Sequence, residues 1–193
     1  MTRILIFVAG ALLGFPSAIV FAETSGAVIP KSDSWRLATF ETDPPGTTVQ
    51  PNPLLIPVAG IQASQLSDTF TDSRSGGRIH DAIDIMAPRG TPVVAADDGT
   101  VVKLFKSVPG GLTVYEFDNS GTFAFYYAHL DGYAAGVVEG KHLKRGDLIG
   151  YVGSTGNASA AAPHLHFAIF VLGPDKRWWK GTAINPYPLL TRH

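Results

Sequence analysis

The segment PHLHF sets His164 and His166 on either side of Leu165. In a strand, residues two apart share a face, so both imidazoles point one way and Leu165 points the other. The residues that follow, FAIFVL, are aromatic and branched aliphatic, which suits a strand. Two adjacent imidazoles pack poorly, but they suit a metal ion or a reacting water. A second pair, His80 and Asp84, has the spacing H-x-x-x-D within GRIHDAIDIMAP. In a straight strand these residues would lie ~13 Å apart. Two ligands of one zinc bring their donor atoms within roughly 3.5 Å, given bonds near 2.1 Å. If both bind one metal, the chain between them must turn, bulge or form a helical turn, and HDAID before MAPRGTP reads as a bend entering a strand. His129 lies in FAFYYAHL, where simple alternation puts it on the face of Phe125 and Tyr127.

Taken singly, each feature has an ordinary explanation: a surface histidine beside a solvated aspartate, or a histidine capping a sheet edge. Taken together, His80, Asp84 and a strand-borne His-x-His supply the three neutral or anionic ligands that a catalytic zinc takes, with a fourth position open to water.

Short apolar runs separated by turns must position these residues. GTVVKLF (99–105), LTVYEFD (112–118), TFAFYYAHL (122–130), DLIGYVG (147–153) and HLHFAIFVL (164–172) each predict a strand. VPGG, DNSG and KRGD supply turns, and 21 Gly and 14 Pro punctuate the chain. No amphipathic helix longer than about ten residues is evident. The fold expected is all-β, an antiparallel sheet or sandwich with few short helices.

The chain has 193 residues, 45% hydrophobic and 16% charged, as expected of one soluble domain. Net charge is −1 and there is no basic block, so nothing predicts binding to nucleic acid. With no cysteine, disulfides and Cys-ligated zinc are excluded. Residues 1–22, MTRILIFVAGALLGFPSAIVFA, read as an export signal: Arg3, an apolar stretch from Ile4, then Val20 and Ala22 at the −3 and −1 positions of a cut before Glu23. An uncleaved anchor is the alternative, but Gly14 and Pro16 interrupt the run and no basic cluster follows. Residues 23–53 are polar and Pro-rich without a sustained period, and they read as a linker or arm. Residues 54–193 are the expected domain, periplasmic or secreted, monomeric, and not inserted in a membrane after signal cleavage.

At this point the sequence resembles the lysostaphin/LytM-type zinc metallopeptidases of bacterial cell walls. The resemblance rests on RIHDAIDIMAPRGTPVVAADDGTVV, YYAHL and LKRGDLIGYVGSTGNASAAAPHLHFAI, in that order. It implies the barrel-sandwich-hybrid-like β fold of that family and a Zn2+ cofactor. It implies His80, Asp84 and His166 as zinc ligands and His129 and His164 as unliganded catalytic histidines. It also implies a substrate, the peptide cross-links of peptidoglycan. A chain with one catalytic domain and no wall-targeting module fits a D,D-endopeptidase acting on direct cross-links in a periplasm. The alternative is an inactive relative that activates other wall hydrolases. One departure is Ala82, where the family usually has Gly; Gly would ease the bend that the ligands demand.

His142 and His193 fit no part of the pattern. GSTG (153–156) is not a nucleophile elbow, because Val152 stands two residues before Ser154. A biotinyl- or lipoyl-type carrier would need a modifiable lysine at a hairpin tip, and none is found in that setting.

Overall fold

The structure is a computed structural model and describes residues 51–192. The export signal and most of the Pro-rich arm lie outside the described residues, as does His193.

The strands in chain order are β1 (Ser73–Arg74), β2 (Arg78–Ile79), β3 (Ile83–Met86), β4 (Pro92–Val94), β5 (Gly99–Ser107) and β6 (Gly111–Asp118). They continue with β7 (Phe123–Tyr133), β8 (His142–Leu143), β9 (Leu148–Val152), β10 (His164–Leu172) and β11 (Gly181–Ile184). One α-helix, α1 (Tyr187–Thr191), follows. All five strands anticipated from the apolar runs are present, and the all-β expectation is borne out.

Nine strands form one sheet with the path β11-β10-β7-β6-β5-β8. β3 pairs with the start of β10, and β9 pairs with both β4 and the end of β7. All of these pairings are antiparallel, and the sheet is not closed into a barrel. The small β1–β2 ladder stands apart from it.

The central strands are buried on both faces, which is why they read as continuous apolar runs instead of clean alternations. Phe125, Tyr127, Leu165, Phe167 and Ile169 face the main core with Ile83, Ile85 and Ile149. The opposite face carries a smaller cluster: Tyr115, Ala124, Tyr126, Ala128, Ala168 and Phe170. The chain enters the domain at Leu54, whose N–H donates to the Leu189 carbonyl at 2.9 Å and ties the start of the fold to α1.

One glycine is forced by a crossing. Gly111 has φ +64°, and a Cβ there would lie 2.1 Å from Oγ1 of Thr155. The contact lets the loop after β9 lie directly on the β6 end, where Thr155 acts on the site.

Candidate active site

β3 and β10 create the centre by register. His166 sits directly opposite Asp84, so their side chains leave the sheet on one face. His164 sits opposite Met86, two residues along on that face. His80 must then double back toward Asp84. The bend occurs at Asp81, with φ 56°, while Ala82 keeps an ordinary negative φ and is fully buried in the smaller cluster. The missing glycine therefore costs nothing at Ala82, because the left-handed residue is the preceding aspartate, a type that tolerates that region.

The donor atoms form a small triangle. Nε2 of His80 lies 2.9 Å from Oδ1 of Asp84 and 3.0 Å from Nδ1 of His166, and that Nδ1 lies 3.1 Å from the same Oδ1. This is the separation that ligands of one zinc ion require. Among the described residues, His80, Asp84 and His166 are the group able to hold a metal.

Backbone carbonyls fix three of the four rings. Nδ1 of His80 donates to the Thr69 carbonyl at 2.9 Å, Nδ1 of His164 to Ala162 at 2.9 Å, and Nδ1 of His129 to Thr155 at 2.8 Å. A carbonyl only accepts, so each neutral ring carries its proton on Nδ1 and its lone pair on Nε2. Such outer partners set the tautomer and orientation of a ligand or base.

The alternation argument placed His129 on the face of Phe125 and Tyr127, and the structure corrects this. Those two rings lie in the main core, whereas the His129 ring lies 4.9 Å from His164 and 5.6 Å from His166. The cause is a bulge. The β6–β7 register slips between Val114↔Tyr127 and Leu112↔Leu130, so Ala128 and His129 share one partner position. His129 takes φ 62°, and its N–H donates to the Gly110 carbonyl at 2.8 Å. The extra residue reverses the alternation and turns the imidazole to the histidine face. A non-glycine residue in the left-handed region marks a place where the surroundings over-determine the backbone, often a functional one.

Electrostatics follow from burial. Burial pushes the His166 imidazole down to about 4, against the pull of Asp84, so near neutral pH it stays uncharged, the form in which an imidazole can bind a metal. Burial also lowers His129, against its bond to Thr155. Burial opposes ionisation of Asp84, but the His166 and His80 imidazoles packed against its carboxylate outweigh it and hold the carboxyl far below the usual range. The second carboxylate oxygen of Asp84 accepts from Nη2 of Arg74 at 2.6 Å.

The sequence reading missed three contributors: Thr69, Arg74 and Thr155. Thr69 supplies the carbonyl for His80 and accepts the Asp84 N–H on Oγ1 at 3.2 Å. Thr155 holds His129 and locks its own loop by donating from Oγ1 to Leu130 at 2.8 Å. GSTG thus serves as a brace. His142 lies away from the cluster, exposed on β8, with Nδ1 2.9 Å from Oγ1 of Thr100.

An antiparallel sheet that gathers four histidines and one aspartate on a single face defines a histidine-rich hydrolytic or metal-binding centre. The chain belongs to Peptidase family M23, whose profile matches residues 78–186. It is 34% identical over 129 residues to the L-Ala--D-Glu endopeptidase of Bacillus subtilis, covering 63% of this chain and 38% of that one. It is 37% identical over 99 residues to the peptidoglycan DD-endopeptidase ShyC of Vibrio cholerae, covering 51% of this chain and 22% of that one. The catalytic domain of lysostaphin from Staphylococcus simulans superposes with TM-score 0.52 at 35% identity, covering 61% of this chain and 83% of that domain. The chain therefore spans well under half the length of these two curated relatives. The resemblance drawn from the motifs is borne out.

Proposed function

We propose that this chain is a zinc-dependent endopeptidase that hydrolyses peptide cross-links of bacterial peptidoglycan. In this reading residues 54–193 are the peptidase domain, residues 1–22 direct export to a periplasm or the exterior, and residues 23–53 link the two. The observation that carries it is the donor triangle of His80, Asp84 and His166 beside two histidines whose Nε2 lone pairs are preset.

The three donors fit the ion by chemistry and spacing: two neutral imidazoles and one carboxylate oxygen, mutually 2.9–3.1 Å apart. A bound zinc supplies Lewis acidity that activates water and polarises a scissile carbonyl. The chain's own groups do the rest. His164 accepts the proton of the attacking water at Nε2 and returns it to the leaving amine, its Nδ1–H remaining on Ala162 throughout. His129, anchored through Thr155 and favoured as the neutral ring by burial, takes up a proton from water at Nε2 as charge grows on the carbonyl oxygen and donates a hydrogen bond to it. The two rings are neighbours, and either can exchange these roles.

The bond assigned is the D,D cross-link between D-alanine and diaminopimelate, supported by the relative named a peptidoglycan DD-endopeptidase. The test is to incubate the protein with diaminopimelate-type sacculi and, separately, with a pentaglycine peptide, and to identify products by mass. Loss of cross-linked dimers with gain of monomers supports the reading. Pentaglycine cleavage with untouched sacculi refutes it. A metal-free protein that binds sacculi and stimulates another hydrolase would support the inactive-activator alternative instead.

A further inference from the structure

Arg74 brings a fixed positive charge to the edge of the donor triangle. It stands on β1, and its cross-strand partner on β2 is Arg78, two residues before His80. Gly76 and Gly77, at φ 76° and 73°, make the turn that sets the two arginines opposite each other. Like charges directly opposite destabilise a ladder, so these two strands gain nothing from the pair. Asp84 occupies only part of the Arg74 guanidinium: Nη2 donates to Oδ2, while Nε and Nη1 have no protein partner among the described residues. The Arg74 side chain is 37% exposed, so those donors are open to a ligand. A guanidinium carries its N–H groups in a planar fork that fits a carboxylate with two parallel bonds.

We propose that Arg74 is a specificity-determining residue that binds a free carboxylate of the substrate, the one on the carbon that bears the scissile nitrogen. This rests on the peptidoglycan reading above and names the feature by which the cross-link is chosen. In a D-alanine-to-diaminopimelate cross-link, the amine side is a diaminopimelate carbon that carries a free carboxylate. Its carboxyl carbon lies roughly 2.5 Å from the scissile nitrogen. Arg74 and the donor triangle share one group: Oδ2 of Asp84 takes Nη2 of Arg74 at 2.6 Å, and Oδ1 faces Nε2 of His80 at 2.9 Å. A peptide whose scissile bond is held at the triangle thus brings this carboxylate within reach of the open part of the fork. Inside a glycine bridge the same carbon carries a neutral amide, which returns far less to a guanidinium than a carboxylate does.

The probe is a cross-linked muropeptide dimer in two forms, with the diaminopimelate carboxylate beside the cross-link free or converted to its carboxamide. The first measurement is kcat/KM for both forms on the full chain saturated with zinc. The free form should be favoured about tenfold or more, the usual worth of a paired, charge-assisted contact. Arg74→Gln should bring the two forms within about twofold. Arg74→Lys, with a point charge in place of the fork, should recover part of the preference. A ratio between two forms on one protein is unaffected by any zinc that a variant loses. The second measurement is calorimetric binding of both forms to the full chain in excess chelator, and it should show the same preference and the same loss in Arg74→Gln. Equal handling of the two forms by the wild-type chain, or a preference that Arg74→Gln keeps, would overturn the assignment. A dimer amidated at D-glutamate instead should behave as the unmodified dimer does; a loss there and none at diaminopimelate would overturn it too. Carboxylate-dependent binding by a chain that cuts neither form when loaded with zinc would refute the hydrolase reading and leave the Arg74 assignment standing.

Discussion

Nη2 of Arg74 lies 2.6 Å from Oδ2 of Asp84, while Oδ1 of the same carboxylate faces His80 and His166. In the proposed reading the two oxygens have separate tasks: Arg74 holds one, and the other is left for the metal. An outer partner of this kind typically contributes 10–100-fold to metal affinity. Arg74→Ala should therefore weaken zinc binding by about that factor, measured by competition with a chromophoric chelator, while the far-UV spectrum is kept. Unchanged affinity would mean that Asp84 is oriented by β3 alone.

In the proposed mechanism, His129 and His164 should separate cleanly from the metal. His129→Ala and His164→Ala are expected to keep zinc and to lose activity by roughly 10²–10⁴-fold, the usual cost of losing proton transfer or charge stabilisation. A metal-free His129→Ala or His164→Ala protein would show that the division between ligand and catalyst is wrong.

Thr155 offers a finer test of His129. Its backbone carbonyl holds Nδ1, and its Oγ1 both accepts from Leu112 and donates to Leu130. Thr155→Val removes the hydroxyl but keeps the shape, so the loop loses its lock. We expect a drop in kcat of about tenfold with zinc content unchanged, since a displaced His129 imidazole costs rate without touching His80, Asp84 or His166. Wild-type kcat would show that the loop is held by other contacts.

Glu116 makes stability depend on pH. It is fully buried on β6, its Oε2 accepts from the Tyr127 hydroxyl at 2.7 Å, and its Oε1 has no hydrogen-bond partner. Burial pushes its carboxyl up from 4.5 to about 8; Asp97, Asp98 and Asp118 add to this, and the Tyr127 bond opposes it. The native state thus keeps a proton that the unfolded chain releases. This contribution is fully present below about pH 4.5 and is lost as pH rises through about 8, with a slope approaching ~1.4 kcal/mol per pH unit. Glu116→Gln should flatten the slope, checked by urea unfolding with chelator at about pH 5 and about pH 7.5. Parallel slopes for both proteins would show that Glu116 is ionised within the fold.

The strands that carry the site were legible because their apolar runs are long and bounded by turns. β10 matches its run, HLHFAIFVL, end to end. The shared face of His164 and His166 follows from the two-residue period, and the need for a bend between His80 and Asp84 follows from metal geometry. Two things were not legible. One is the bulge at His129, which reverses the alternation and depends on the Gly110 carbonyl, a partner distant in sequence. The other is the set of outer partners: Thr69, Arg74 and Thr155 act through single bonds that no spacing encodes. Strands of two or three residues such as β2, β4 and β8 exist only through their pairing, so no local pattern announces them.

The central claim is that His80, Asp84 and His166 hold one zinc ion. The direct measurement is the metal content of protein purified without chelator, compared with two variants. The wild-type chain should carry close to one zinc, and so should His142→Ala, whose ring lies away from the cluster on β8. Asp84→Ala should be nearly empty, because losing one of three ligands costs more than the 10–100-fold typical of an outer partner. Zinc at equal stoichiometry in Asp84→Ala and His142→Ala, or none in the wild-type chain, would contradict the account.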